Sequence, residues 1–167
     1  MADAAVSRLP TARAQCRVAD DASSVEEHHR IRREVFVHEQ RLFVPDDLDE
    51  HDAETATIKV LATCGAAPAG TVRLFPLDRT GACWQGDRLA VRLAFRRHNV
   101  GAPLVRYAVA TAGALGGTAM TAHIQLANVG FFERLGWRRD GAIERYVGVE
   151  HQPMAIDLTP GPAAPAG

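Results

Sequence analysis

The residues that could bind an anion are concentrated in one stretch of the sequence, RLAVRLAFRRHNVGAPLV, residues 88–105. An apolar strand pattern leads into a basic turn, and a helix pattern begins at Gly101. The first turn of a helix presents unpaired backbone N–H groups and the positive end of the helix dipole. Pro103 suits that turn because its missing N–H would have had no partner there. The sequence therefore predicts a site for a phosphate or another anion at this junction.

Two residues of the turn would let a phosphate approach the main chain. Gly101 carries no side chain, and Asn99 adopts a positive φ more readily than most other residues do. The sequence has no GxxxxGK[ST] loop and no dinucleotide-binding glycine fingerprint, so the common nucleotide-binding loops are excluded. One alternative stays open, in which Arg96 and Arg97 are ordinary solvated charges at the start of a helix.

No pattern in the sequence favours a metal site. The cysteines are widely spaced and form no CxxC pair. His28 and His29 are adjacent, so on a helix their side chains would point about 100° apart. The acidic segment 45–52, PDDLDEHD, lacks the glycine and the terminal glutamate of an EF-hand calcium loop. We expect this segment to be a solvated loop, which would favour a cationic amine if it borders a substrate site.

Composition narrows the class of protein. The chain has 167 residues, a formal net charge of −1, 47% hydrophobic residues and 23% charged residues. These values are typical of a soluble globular domain, and the balanced charge disfavours binding to nucleic acid or to an anionic membrane. No apolar segment approaches the ~20 residues of a membrane span. We expect a cytoplasmic protein with one domain at 14–158, a flexible N-terminus at 1–13 and a disordered Pro/Gly/Ala tail at 159–167.

Hydrophobic periodicity and turn signals predict the elements that position the anion site. The expected strands are 14–20, 56–64, 70–77, 87–91, 118–126 and two more within 137–149 and 149–158. The expected helices are 21–40, 101–115 and a short one that begins at Asn128 and ends before Gly136. The first helix would begin with a capping box, either Ser23 with Glu26 or Ser24 with Glu27. This order predicts an α/β (α+β) layered domain with a mixed sheet.

Two segments of the sequence resemble a known family. LAVRLAFRRHNVGAPLV, residues 89–105, resembles the acetyl-CoA-binding motif of the GCN5-related N-acetyltransferases (the GNAT superfamily), although Asn99 replaces a glycine of that motif. NVGFFERLGW, residues 128–137, is similar to a later element of the same superfamily. The segments IRREVFVHEQRLF, DLDEHD, WQGDRLAV and GVEHQPMAIDL further resemble the N-acetyltransferase subgroup associated with nitrogen starvation.

The resemblance implies a fold and a cosubstrate. The fold would be a mixed, mostly antiparallel central sheet flanked by helices, with a splayed strand pair that holds acyl-CoA. Acetyl-CoA would be the cosubstrate, without a metal; its pantetheine arm would pair with the strand that ends at Val91, and its diphosphate would lie on the loop amides. The implied cofactor-binding residues are Leu89, Ala90, Val91, Arg96, Arg97, His98, Asn99, Val100, Gly101, Ala102, Asn128 and Phe132.

The resemblance also suggests side chains for proton transfer and for the acceptor. The candidate bases are Glu39, Asp87 and His151, and an imidazole with its usual pKa of ~6.5 suits proton transfer. Each has a structural alternative: an ion pair on the helix surface, an aspartate in a turn, and a hydrogen-bonded histidine, respectively. The candidate substrate-binding residues are Arg33, His123 and Gln125.

The expected function is direct transfer of an acyl group, from acetyl-CoA, to the amine of a small metabolite in a ternary complex. Phe132 occupies the position at which many GNAT members carry a tyrosine that protonates the coenzyme thiolate. A non-catalytic acyl-CoA sensor or interaction module therefore stays open as an alternative. Transfer of a longer acyl chain is a third alternative, because VFVHEQ, residues 35–40, resembles a segment of signal-lactone synthases. Whether the chain forms a homodimer is also left open.

Overall fold

The computed structural model describes residues 12–161. Its strands are β1 (Ala14–Val18), β2 (Ile58–Cys64), β3 (Ala67–Pro76), β4 (Cys83–Val91), β5 (Ala119–Gln125), β6 (Arg138–Arg139), β7 (Glu144–Tyr146) and β8 (Val149–Asp157). Its α-helices are α1 (Ala22–Arg32), α2 (Gly101–Ala114) and α3 (Val129–Arg134). A π-helical segment spans Arg33–Glu39, and short 3₁₀ segments span Glu50–Ala53, Leu93–Phe95 and Leu126–Asn128.

The strands form one mixed sheet in the order β1-β2-β3-β4-β5-β8-β6, and β7 pairs with β8. All pairings are antiparallel except that of β4 with β5. The predicted α/β class and the predicted hairpin of β2 with β3 are confirmed. The two strands expected within 137–158 are instead three, because the chain makes a tight extra hairpin from β7 into β8.

The parallel strands β4 and β5 separate soon after they meet. Their pairing covers only Cys83 with Ala119, Trp84 with Met120 and Gln85 with Thr121. Beyond these pairs β4 continues to Val91 and β5 to Gln125 without further pairing to each other. The sheet therefore contains a wedge-shaped gap that widens toward the carboxyl ends of both strands.

Apolar side chains cover both faces of the sheet. On one face Val60, Ala62 and Leu74 pack with Leu104 and other residues of α2. On the opposite face Leu61 packs with residues of α1 and of the π-helical segment that follows it. Alternation along β2 thus sends successive side chains into two different layers of core. The middle of the strand, Val60, Leu61 and Ala62, is buried on both faces and is continuously apolar, whereas Lys59 and Thr63 on either side are only partly buried.

The first helix differs from its prediction at both ends. Its N-cap is Asp21, whose carboxylate accepts a hydrogen bond from the Ser24 amide at 2.8 Å, while the Ser24 hydroxyl faces the Asp21 amide at 3.3 Å. The predicted boxes with Glu26 or Glu27 are wrong, because the helix begins about two residues earlier. At the other end the amide of Gln40 donates to the carbonyl of Val35 at 2.8 Å, which widens the helix to π geometry.

The end of the described chain packs against α2. The amide of Gly161 donates to the carbonyl of Gly113 at 2.8 Å. A Cβ at Gly113 would lie 2.5 Å from the Thr159 carbonyl oxygen, so only glycine permits this approach. The predicted termini at 1–13 and 159–167 fall largely outside the described residues. Within 12–161, no helix has both the length and the apolar character needed to cross a membrane.

Candidate active site

A cavity of about 470 Å³ occupies the gap between β4 and β5. Its walls come from the open parts of these two strands, from the π-helical segment, from α2 and α3, and from the β7–β8 hairpin. The π geometry matters here, because the widened turns place Phe36 and Gln40 on the cavity wall. The predicted site residues that line the cavity are Asp87, Leu89, His123, Gln125, Asn128, Phe132 and His151.

The loop that precedes α2 presents free backbone donors, as expected for an anion site. Asn99 has a φ of 51°, which confirms the predicted positive φ. Within residues 12–161, the N–H groups of Asn99, Val100, Gly101 and Ala102 have no hydrogen-bond acceptor. The Nδ1 atom of His98 is also buried without a partner in the described structure. These donors fit a diphosphate, which could accept several of them at once.

Arg96 and Glu39 form an ion pair beside this loop. Two oxygens of Glu39 bind the Arg96 guanidinium, at 2.5 and 2.7 Å, and Arg96 Nε donates to the Val91 carbonyl at 3.1 Å. The carboxylate is therefore occupied by a side chain and leaves the loop amides free. Glu39 is not part of the cavity wall, so the structure does not bring this candidate base to the site.

Arg33 is also separate from the site, although it was a candidate for binding substrate. Its side chain is exposed and does not line the cavity. The neighbouring residue Arg32 lies on a different face of the helix and is fully buried. Consecutive residues of a helix differ by about 100° in direction, so a one-residue error selects a different face.

Asp87 belongs to a buried ion-pair cluster rather than standing free as a base. Its carboxylate binds Arg73 in a bidentate pair, Nε to Oδ1 at 2.8 Å and Nη2 to Oδ2 at 2.7 Å. Such a pair stabilises the ionised carboxylate and uses the lone pairs that would accept a substrate proton. Asp87 lines the cavity all the same, but its charge is balanced there by Arg73.

The acidic segment 45–52 is part of the same cluster, which corrects the prediction of a solvated loop. Three arginines lie against four aspartates of this segment and of β4. They are Arg32, Arg73 and Arg88, with Asp47, Asp49, Asp52 and Asp87. Asp47 is 2% exposed, and Arg32 and Arg73 are fully buried. Burial alone would raise the pKa of Asp52, but hydrogen bonds from Arg32 and the positive charge of Arg32 and Arg73 hold it well below its usual range.

A bulge in β4 lets Arg88 join this cluster. Val72 faces two residues of β4, because Thr71 pairs with Ala90 and Arg73 pairs with Asp87. Arg88 adopts a φ of 51°, and its carbonyl accepts a hydrogen bond from the Thr71 hydroxyl at 3.1 Å. Bulges commonly re-aim side chains beside functional sites. Here the bulge turns Arg88 toward the acidic segment at the point where the gap opens.

His151 has the geometry of a proton acceptor. It lies on β8 opposite Gln125, lines the cavity and is 6% exposed. Its Nδ1 atom is 2.9 Å from the carbonyl oxygen of Val149. A carbonyl can only accept, so the neutral ring carries its proton on Nδ1 and leaves a lone pair on Nε2. Of the three candidate bases, only this one combines a place on the cavity wall with a free lone pair.

The other predicted acceptor residues stand at the mouth of the cavity. His123 contacts Glu144 of β7, which makes an ion pair if the imidazole is protonated. Gln125 donates from Nε2 to Gln40 Oε1 at 3.2 Å and so connects β5 with the end of the π-helical segment. Sequence reasoning missed Glu144, because it acquires its place only through a partner far away in the chain.

Aromatic rings form the inner wall. Phe132 is 5% exposed and meets Trp137 edge to face, with the ring centroids 5.4 Å apart. Phe131 makes a similar contact with Phe132 at 5.3 Å. The indole N–H of Trp137 is buried and has no acceptor within the described part of the chain. Phe132 has no proton to give, so this wall supplies apolar contact rather than acid catalysis. Among the described residues, no group of three His, Cys, Asp or Glu is arranged to hold a metal.

Comparisons with known proteins point to one family. A family model described as "Acetyltransferase (GNAT) family" matches residues 22–137. A protein of Bacillus subtilis (strain 168) with the name "Putative acetyltransferase BSU40680" is 30% identical over 109 residues, which are 65% of this chain and 72% of the relative.

Solved structures share the fold. A crystal structure described as a "putative N-acetyltransferase from Lactobacillus plantarum" has a TM-score of 0.77 at 23% identity and covers 87% of this chain and 99% of its own. BjaI, a CoA-dependent acyl-homoserine lactone synthase solved with SAM and isopentyl-CoA, has a TM-score of 0.71 at 18% identity. That match covers 88% of this chain and 83% of the synthase.

Proposed function

The chain belongs to the acetyltransferase (GNAT) family of acyl-CoA-dependent enzymes, and from this premise we propose that it transfers an acyl group from acyl-CoA to the amine of a small metabolite. The observation that carries the proposal is the run of free amides from Asn99 to Ala102, which lies beside the gap between β4 and β5. A diphosphate on those amides would let the rest of the cosubstrate extend along β4 into the cavity.

The open side of β4 suits the pantetheine arm. From Gly86 to Val91 the strand has no partner on the side of β5, although its other side pairs with β3. The amides of a pantetheine chain can pair with such an edge in the manner of an added strand. Leu89, Ala90 and Val91 would make these main-chain contacts, and Asn128 and Phe132 would face the arm from the other wall.

The transfer step needs a base and a leaving group. The amine nitrogen attacks the thioester carbonyl carbon, the C–N bond forms, the C–S bond breaks, and the ammonium proton passes to Nε2 of His151. The sulfur leaves as a thiolate, because Phe132 cannot protonate it. A thiol with a pKa of about 8.5 is a tolerable leaving group, so no dedicated acid is required. Holding both reactants in one cavity supplies most of the advantage over the reaction in water.

The acceptor end of the cavity favours a cationic amine. Glu50 and Glu144 line it and, among the described residues, neither is paired with an arginine, whereas Asp49 and Asp87 on the same wall are paired with Arg73 and Arg88. Phe43 and Tyr146 add aromatic faces at the same end, with their ring centroids 6.5 Å apart. A small amine that carries a positive charge and an apolar portion would complement both features.

Two measurements test the proposal. Isothermal titration calorimetry with CoA and with acetyl-CoA should detect saturable binding, and a screen of small amines should find acceptors that release free CoA thiol. If neither ligand binds at millimolar concentration, the chain does not use acyl-CoA. If the ligands bind and no amine releases CoA, the protein is a binding module rather than a transferase.

A further inference from the structure

The cavity between β4 and β5 continues inward, past the sheet and into the core. Seven of its lining residues are between 1% and 5% exposed, so they belong to the protein interior and still face the cavity. They are Val72, Val105, Ala108, Met120, Ala122, Phe132 and Trp137. Their side chains come from β3, α2, β5 and the segment around α3, which therefore enclose this inner end from several sides.

The inner end is apolar, unlike the acceptor end. Apart from the indole N–H of Trp137, the seven side chains offer no N–H or O–H group to an occupant. A polar group placed there would lose its bonds to water and regain almost none. Val105 and Ala108 lie on α2, whose first turn follows the free amides of the coenzyme loop. An occupant of the inner end would therefore be apolar and would enter from the place where the coenzyme is expected.

Gly86 stands at the entrance to this inner end. It is the first residue of β4 beyond the last pair with β5, Gln85 with Thr121. Its φ is not in the left-handed region, and a Cβ built on it would meet only Met120 Sδ, at the ordinary contact distance of 3.5 Å. Neither backbone conformation nor a clash requires glycine there. In the interior of a strand, glycine without such a reason commonly marks close approach of a ligand.

We propose that the inner end of the cavity receives an acyl chain longer than acetyl, and that Gly86 sets the room available to it. This inference rests on the proposed use of acyl-CoA and specifies the acyl donor. The chain would run from the thioester, past Gly86 and Met120, into the pocket between Val105, Ala108 and Trp137. Acetyl-CoA would bind as well but would leave the inner end unfilled.

The test compares the affinities of CoA, acetyl-CoA, butanoyl-CoA and hexanoyl-CoA by isothermal titration calorimetry. Burial of a methylene is worth about 0.8 kcal/mol, so the dissociation constant should fall about fourfold for each added methylene until the pocket is full. We expect hexanoyl-CoA to bind at least about tenfold more tightly than acetyl-CoA. The experiment needs no acceptor, and it uses the full chain.

Two variants connect the preference to the inner end. Gly86→Val should abolish the advantage of hexanoyl-CoA and leave the affinity for CoA as it was. Met120→Ala should increase the advantage, because it enlarges the same space. Cys83→Val is the matched control, since Cys83 lies on the same strand but is exposed and outside the cavity. It should keep the wild-type preference.

The outcomes separate the two proposals. If CoA itself does not bind, the proposed function fails. If CoA binds but wild-type affinity is the same for all four ligands, or falls with chain length, the acyl-chain pocket is overturned while acyl-CoA binding stands. If wild type prefers hexanoyl-CoA and a folded Gly86→Val keeps that preference, the role of Gly86 is overturned. Met120→Ala tests the same wall of the pocket independently, because it should increase the preference for hexanoyl-CoA.

Discussion

Arg73 and Asp87 face each other across the β3–β4 ladder and are joined by two parallel hydrogen bonds, at 2.8 and 2.7 Å. The same guanidinium binds both oxygens of Asp49, at 2.6 and 2.9 Å. Arg73 thereby ties the acidic segment to β4 at the place where the gap opens. The arginine is fully buried and binds both carboxylates at shorter distances than Arg88 does, so it is their main compensating charge in that environment.

Removing this arginine should cost more stability than removing an exposed one. Arg73→Met leaves Asp49 and Asp87 without their main partner, and the loss of one member of a buried pair typically costs about 3–5 kcal/mol. Urea unfolding followed by circular dichroism measures the change. Arg138→Met is the control, because the Arg138–Asp157 pair is largely exposed and should contribute at most about 1 kcal/mol. Equal losses in both variants would show that the buried cluster is not a stabilising unit.

His28 should make the protein less stable as the pH falls below neutrality. Its Nδ1 lies 3.1 Å from the Val60 carbonyl, and its Nε2 lies 3.4 Å from Arg32 Nη1, which suits the neutral ring. Burial, reinforced by the charge of Arg32, lowers the pKa of His28 to about 3. The unfolded chain takes up this proton near pH 6.5, so between pH 6.5 and about 3 it binds more protons than the folded chain does.

The contribution of His28 to the free energy of unfolding should therefore be fully present above pH 6.5. Below that pH the free energy of unfolding should fall by up to about 1.4 kcal/mol per pH unit. Urea unfolding at pH 7, 6 and 5 measures the slope. His28→Gln should be less stable at pH 7 but should show a shallower slope. His38→Gln, at an exposed histidine, should keep the wild-type slope. An unchanged slope in His28→Gln would exclude His28 as its source.

His151 should be essential for turnover and dispensable for binding the coenzyme. Loss of a general base typically lowers the rate by about 10²–10⁴-fold. His151→Gln should therefore reduce kcat by that factor with the best amine found in the screen, while the dissociation constant of CoA stays as in wild type. Glu39→Gln should keep the wild-type kcat, because Glu39 lies outside the cavity wall. A large fall in kcat for Glu39→Gln, with His151→Gln unaffected, would reverse the assignment.

The conformation of Asn99 should control affinity for the coenzyme. Asn99→Gly keeps the positive φ without strain and should bind CoA as wild type does. Asn99→Val forces a β-branched side chain into the left-handed region, which costs about 1–3 kcal/mol and should weaken binding by about five- to 150-fold. Calorimetry with CoA gives both values, and Asn99→Gly serves as the matched control. Equal affinities in the two variants would exclude a role for this turn.

The turn before α2 could be predicted from the sequence because its signals are local. The strand, the basic turn, Asn99, Gly101 and Pro103 follow one another within residues 88–105, and the structure places α2 at the expected start. The GNAT resemblance rested on the same local motifs, and the family assignment and the mixed sheet are confirmed.

The acidic segment could not be interpreted correctly from the sequence, because its environment depends on distant residues. Asp47 binds Arg88, which is 41 positions away, and Asp49 binds Arg73, which is 24 positions away. No local periodicity indicates such partners, so a run of aspartates was predicted to be solvated. Arg33 was chosen from the resemblance, at the end of the first helix; its side chain is exposed and lies outside the cavity wall, which a local motif could not reveal.

The gap between β4 and β5 has a further consequence for the sheet as a whole. Exposed strand edges ordinarily invite other chains to add on, and proteins protect them with charge, bulges or a covering element. In this sheet the gap gives β4 and β5 additional free edges inside the sheet. On its other side each of these strands pairs with an antiparallel neighbour, β4 with β3 and β5 with β8. A ligand that pairs with these inner edges must be narrow and must carry amide groups of its own. The gap that removes hydrogen bonds from the sheet therefore also restricts which molecules can bind in it.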